Sequence, residues 1–76
     1  MKSVQISLEK AESVKKFVNI ASNYPYDMDL RSGRFFIDAK SVLGIFSLDL
    51  SKPVVLEIHS DNCDALLKEL EPFIVK

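Results

Sequence analysis

The spacing of apolar residues changes period several times along the chain, and these changes restrict the fold more than any other feature. Val4, Ile6 and Leu8 alternate with Gln5 and Ser7, the two-residue period of a strand with one dry face, which predicts a strand over residues 2–7. Ala11, Val14, Phe17, Val18 and Ala21 then recur at steps of three and four, with Lys10, Glu12, Lys15, Lys16 and Asn19 between them, predicting an amphipathic helix over 9–22. Asn23 suits a helix end, and Pro25 both lacks the amide for another turn and disfavours helical geometry at Tyr24. Alternation resumes at Asp27, Met28, Asp29, Leu30 and Arg31. With Ser32-Gly33 as a turn, it predicts a hairpin of 26–31 with 34–38.

Ser41 precedes Val42, Leu43, Ile45 and Phe46 and is expected to cap a short helix, weakened by Gly44. Val54, Leu56 and Ile58 alternate with Val55, Glu57 and His59 in a fourth strand, with Pro53 at its start, where a missing amide is tolerated. Asp61 or Asn62 is the expected cap of a last helix presenting Cys63, Leu66, Leu67 and Leu70 and ending near Pro72. The order is βαββαβα. Strands with one dry face need helices on one side only, so the expected fold class is α+β: an open-faced sandwich whose four-stranded, mostly antiparallel sheet is covered by two longer helices. At 76 residues the whole chain, 1–76, is expected to be a single domain.

Composition narrows the function. Ten Lys and Arg against eleven Asp and Glu leave a net charge of −1, with no basic excess to neutralise a row of phosphates, so neither nucleic acid nor a membrane surface is an expected partner. No apolar run approaches the roughly 20 residues of a bilayer span, and MKSVQISLEK lacks a secretory apolar core, so a cytoplasmic location is expected. One histidine, His59, and one cysteine, Cys63, cannot build a zinc shell, and no metal or cofactor is expected. Cys63 reads as a buried thiol and His59 as a strand-end side chain. Asp27 and Asp29 share a strand face, but that face offers no dry pocket to separate two carboxyl pKa values, so they read as solvated. Gly33 and Gly44 are the only glycines and neither opens a phosphate loop. Lys10 to Lys16 reads as the wet face of a helix. No catalytic constellation emerges, and the chain reads as a non-enzyme.

The element order, the length and the stretch Ala39-Lys40-Ser41-Val42-Leu43-Gly44-Ile45-Phe46-Ser47-Leu48 together resemble HPr, the histidine-containing phosphocarrier of the bacterial sugar phosphotransferase system. Phe17-Val18 is similar to the pair near the end of that family's first helix. The resemblance implies a carrier histidine at the start of the first helix, in a Gly-Leu-His-x-Arg-Pro loop where amides and an arginine hold the phosphate. Counted back from Phe17-Val18, the histidine position falls on Lys10, the arginine on Glu12 and the proline on Ser13, and the preceding connection is several residues shorter. A lysine is cationic near neutral pH and a glutamate repels the anion that arginine would clamp, so a degenerate carrier site at Lys10 and Glu12 is implied. His59 lies on a different element and does not replace it.

The family's second site is kept in outline. The chain resembles the catabolite-repression HPr protein, which lacks the carrier histidine and is phosphorylated on a serine by HPr kinase before binding a transcriptional regulator. The resemblance implies Ser41 as the phosphorylation candidate and Lys40, Val42, Leu43 and Phe46 as the partner-binding surface. It does not supply the arginine that Glu12 replaces. The rival reading of the same segment makes Ser41 only a cap, with Val42, Ile45 and Phe46 in the core. Two other functions stay open: a phosphocarrier-like accessory using His59 or another group, and a structural or homodimerising domain, which a well-packed Phe46 and a self-complementary strand edge would indicate. Partner identity and oligomeric state are left open.

Overall fold

The structure, a computed structural model, describes residues 1–75; Lys76, the last residue of the expected domain, lies outside them. The elements are β1 (Lys2–Ile6), α1 (Ala11–Ser22), β2 (Met28–Ser32), β3 (Phe35–Asp38), α2 (Val42–Phe46), β4 (Val54–Ile58) and α3 (Asp64–Glu69), followed by a 3-10 turn at Glu71–Phe73. The strands form one sheet in the order β1-β4-β2-β3, and every pairing is antiparallel, so the expectation of a mostly antiparallel sheet is sharpened to a wholly antiparallel one among the described residues.

The two-residue alternation divides the sheet into faces. Met28, Leu30, Leu56 and Ile58 are buried, while Asp29, Arg31 and Glu57, between them in sequence, lie on the other face. The buried row meets Val14, Phe17 and Ala21 of α1, Ile45 of α2 and Leu66 of α3 in one core. Phe17 also sets its ring edge-on to Phe73, with centroids 6.4 Å apart, a geometry that adds about 0.5–1.5 kcal/mol to the area buried. The core falls where the spacing predicted, except that Ala11 stays exposed at the first turn of α1 and Val4, Val18 and Leu67 are only half-buried.

Three local expectations are corrected. The hairpin turn is Gly33-Arg34 rather than Ser32-Gly33, because Ser32 pairs with Phe35; Gly33 takes φ +59°, which a side chain rarely tolerates. The last helix is capped by neither Asp61 nor Asn62. Cys63 is its N-cap residue and makes no side-chain cap bond, because the thiol is drawn into the core at 1% exposure, and the Asp61 carboxylate instead receives the N-terminal ammonium at 2.6 Å. That helix is also short, so one long helix covers the sheet and α3 extends only six residues. Beyond it the chain runs along β1: the Val75 amide donates to the Gln5 carbonyl at 2.9 Å, the Ser7 amide donates to Phe73 at 2.8 Å, and Ile74 bridges to Ile6.

Candidate functional site

The start of α1 carries Lys10 and Glu12, the residues that the resemblance sets at the carrier positions. Lys10 is the N-cap residue, extended at φ −104° and ψ 145°; its carbonyl accepts the Val14 amide at 3.2 Å, but its side chain is exposed and caps nothing. Glu12 stands exposed in the first turn, where a negative charge suits the helix dipole and opposes an incoming anion. An open groove of about 730 Å³ runs beside this turn, lined among others by Ser7, Glu9, Lys10, Ser13, Lys16 and Phe73. It offers two lysines and one carboxylate, with neither histidine nor arginine.

The start of α2 is built differently. Ser41 is extended, at φ −102° and ψ 105°, and its hydroxyl oxygen accepts the Gly44 amide at 3.1 Å, the bond expected of an N-cap serine. The Ser41 amide donates to the Asp38 carbonyl at 3.0 Å and the Lys40 amide to the Asp38 carboxylate at 2.9 Å, so the connection from β3 is pinned on both sides of the chain. Lys40 does not sit free beside the serine: its ammonium donates to the Tyr24 carbonyl at 2.8 Å. Tyr24 in turn stacks on Tyr26 and gives its hydroxyl to Glu69. The hydrogen bond to that carboxylate, and after it the loss of hydration around the ring, hold the phenol pKa above its ordinary value.

Around Ser41 the apolar residues separate. Leu43 is 85% exposed and Phe46 43%, while Ile45 is fully buried and Val42 is half-buried against the core. The expected outward surface of Val42, Leu43 and Phe46 is therefore corrected at Val42, which is half-buried because it lies three residues from Ile45, on the face of α2 that packs against the core. The rival reading of Val42, Ile45 and Phe46 as core is corrected at Phe46. The remaining half-buried Ser41 and the exposed Leu43 and Phe46 share one short helix.

A third feature was missed. His59 lies just past β4, exposed as expected, but its Nε2 is 3.0 Å from the Asp29 carboxylate, and its amide donates to the Asp27 carbonyl at 2.9 Å. Asp27, Asp29, Asp38 and Lys40 share a shallow pocket with it, about 470 Å³ in volume. Only cross-strand register brings these residues together, and a one-dimensional pattern does not contain that register. Among the described residues no cluster of His, Cys, Asp and Glu could hold a metal ion, and no helix is long and apolar enough to cross a membrane.

Comparison with known proteins agrees with this architecture. The family described as PTS HPr component phosphorylation site matches residues 5–75. Among solved structures, HPr-C-His from Thermoanaerobacter tengcongensis is 28% identical, over 95% of this chain and 89% of that one, with a TM-score of 0.78. The phosphocarrier protein HPr of Bacillus anthracis shares the fold at 23% identity and TM-score 0.71, over 97% and 94% of the two chains. A histidine-containing phosphocarrier protein of Mycoplasma shares it at 10% identity and TM-score 0.71, over 93% and 86%. A search of the curated proteins returns no match. With the four-stranded antiparallel sheet, the helices on one face and a family match over nearly its whole length, this chain belongs to the HPr family of the phosphotransferase system.

Proposed function

We propose that this chain is a single-domain HPr relative that has lost phosphate transfer at the start of α1 and works as a non-enzymatic, protein-binding regulatory module of carbon catabolite control, switched by phosphorylation at Ser41. The observation that carries this reading is the contrast between the two helix starts. Lys10 and Glu12 stand where the family's histidine and arginine would be, whereas Ser41 caps α2 with Leu43 and Phe46 exposed on the same helix. A phosphate on Ser41 adds about −1.5 to −2 charges beside the first-turn amides, and Lys40 is near enough in the chain to exchange its Tyr24 carbonyl for it. The partners in this reading are HPr kinase and a transcriptional regulator in the cytoplasm, the regulator docking on Leu43 and Phe46 next to Lys40 and the modified serine.

Incubation with HPr kinase and ATP, read by intact mass, tests it. One added phosphate, abolished by Ser41→Ala, is expected; no addition to the folded wild-type chain contradicts it.

A phosphocarrier-like accessory acting through His59 is the second reading, because Asp29 orients the ring as a catalytic carboxylate orients an imidazole. The carboxylates of Asp27, Asp29 and Asp38 around that ring oppose a phosphoryl group there, and for this reason the Ser41 reading is preferred. An acid-labile phosphate from Enzyme I and phosphoenolpyruvate, lost in His59→Ala, would reverse the preference.

A further inference from the structure

The sheet has two edges, and they are treated unequally. At β1 the C-terminal segment occupies backbone groups of Gln5 and Ser7 and bridges to Ile6. At β3 no segment of the described chain adds a further strand. Natural edge strands are commonly blunted by shortness, charged side chains, proline or a bulge. Phe35–Asp38 is short, at four residues, and carries one charge, Asp38, but it has no lysine, proline or bulge, pairs with β2 in uninterrupted register, and exposes Phe35 at 67% and Phe36 at 61%.

The direction of each backbone group on this edge follows from the pairing. Ser32 and Phe35 close a two-residue turn, and the Ala39 amide donates to the Met28 carbonyl at 3.0 Å. Hydrogen-bonded pairs alternate along an antiparallel ladder, so Phe35, Ile37 and Ala39 bond inward to β2 while Phe36 and Asp38 point their amides and carbonyls away from the sheet; the carbonyl of Arg34, in the turn, points the same way because it shares a peptide plane with the inward Phe35 amide. The side chains of Phe36 and Asp38 follow the solvent-facing row, since Phe36 pairs with Arg31 and Asp38 with Asp29, and Arg34 is exposed in the turn beside them.

The sequence of this edge is complementary to itself. With a second copy laid antiparallel and a two-fold axis at Phe36, each Phe36 faces its twin, each Phe35 faces Ile37, and each Arg34 faces Asp38. The backbone parity is the one required: the two Phe36 residues exchange two hydrogen bonds, and the Asp38 amide of each copy donates to the Arg34 carbonyl of the other. The Asp38 carbonyl already accepts the Ser41 amide, so four bonds are counted rather than six. Two opposite-charge pairs and a central aromatic pair then lie on the same face, each of a kind that stabilises neighbouring strands by about 0.2–1 kcal/mol. We propose that β3 is a homodimer interface, in which a second copy of this chain pairs antiparallel about Phe36 to make a continuous eight-stranded sheet.

The register makes the proposal testable with the full chain. Residues at the axis lie about 5.5 Å apart at Cα, within disulfide reach, whereas the two Arg34 positions lie about 14 Å apart. Under mild oxidation Phe36→Cys is expected to form a covalent dimer and Arg34→Cys to remain monomeric; Cys63 is buried and does not compete. Equal cross-linking at both positions overturns the register. Sedimentation of the wild-type chain is expected to show mass rising towards twice the monomer between about 10 µM and about 1 mM, with Phe36→Lys remaining monomeric. A wild-type chain that stays monomeric throughout that range overturns the interface and leaves the edge for a strand of another protein.

Discussion

Two helix starts in this molecule face opposite demands. α1 begins at Lys10, which has the extended backbone of a cap and no capping side chain, yet the helix runs twelve residues. α2 begins at Ser41, which caps fully, and runs only five. The long helix does not need its cap because Val14, Phe17 and Ala21 are sunk in the core, each large apolar side chain there being worth about 1.5–3 kcal/mol. The short helix has a single buried residue, Ile45, and is held by its ends instead. A helix start anchored from behind can change its first residues without unfolding, as the exposed Lys10 and Glu12 at the start of α1 would require in the proposed reading. A helix held by one serine is a place where modifying that serine has structural effect.

The largest test of this contrast is Phe17→Ala. It is expected to cost about 3–5 kcal/mol in urea unfolding, because it removes a fully buried ring and its edge contact with Phe73. A loss under 1 kcal/mol would break the claim that packing alone holds α1. Next is Gly44→Ala. Helix propensity favours alanine by about 1 kcal/mol, but its methyl would come 2.6 Å from the Ile37 side chain and 3.1 Å from the capping oxygen of Ser41. Overpacking of about 1–3 kcal/mol should win, giving net destabilisation and faster amide exchange in α2; a stabilised protein would mean that Ile37 yields freely.

Ser41→Ala is expected to cost about 1 kcal/mol and to raise exchange at the Gly44 amide, with Ser41→Asp recovering most of the loss because it can still cap. Equal losses in the two variants would show that the hydroxyl is not acting as a cap. Smallest of all, Lys10→Ser should stabilise by about 0.5–1 kcal/mol, since the backbone is already extended for capping and only the side chain is wrong. No gain would mean that the first-turn amides of α1 are satisfied in some other way.

Much of the architecture can be read from periodicity. The changes between two-residue and three-to-four-residue spacing mark all four strands and the three helices, because one-sided burial writes its period into the chain. The Ser41 cap is equally legible, since its signal is local. What periodicity does not carry is competition between burial and local chemistry. Asp61 and Asn62 have better capping side chains than Cys63, but burying the thiol sets where α3 begins. Val42 stands next to Ser41 among apolar neighbours, and a helix of only five residues is too short for spacing alone to say that Val42 turns inward while Leu43 turns out. The meeting of His59 with Asp29, and of Lys40 with the Tyr24 carbonyl, depends on separations of 30 and 16 residues that only the completed fold closes.

The most direct measurement sets the two helix starts against each other in one protein. The purified chain is exposed in parallel to HPr kinase with ATP and to Enzyme I with phosphoenolpyruvate, and the intact mass is read at neutral pH, where a phosphohistidine would survive. The account predicts one phosphate in the first arm, lost in Ser41→Ala, and none in the second. A phosphate from Enzyme I, with the kinase arm empty, would contradict it, because the protein would then be a carrier after all.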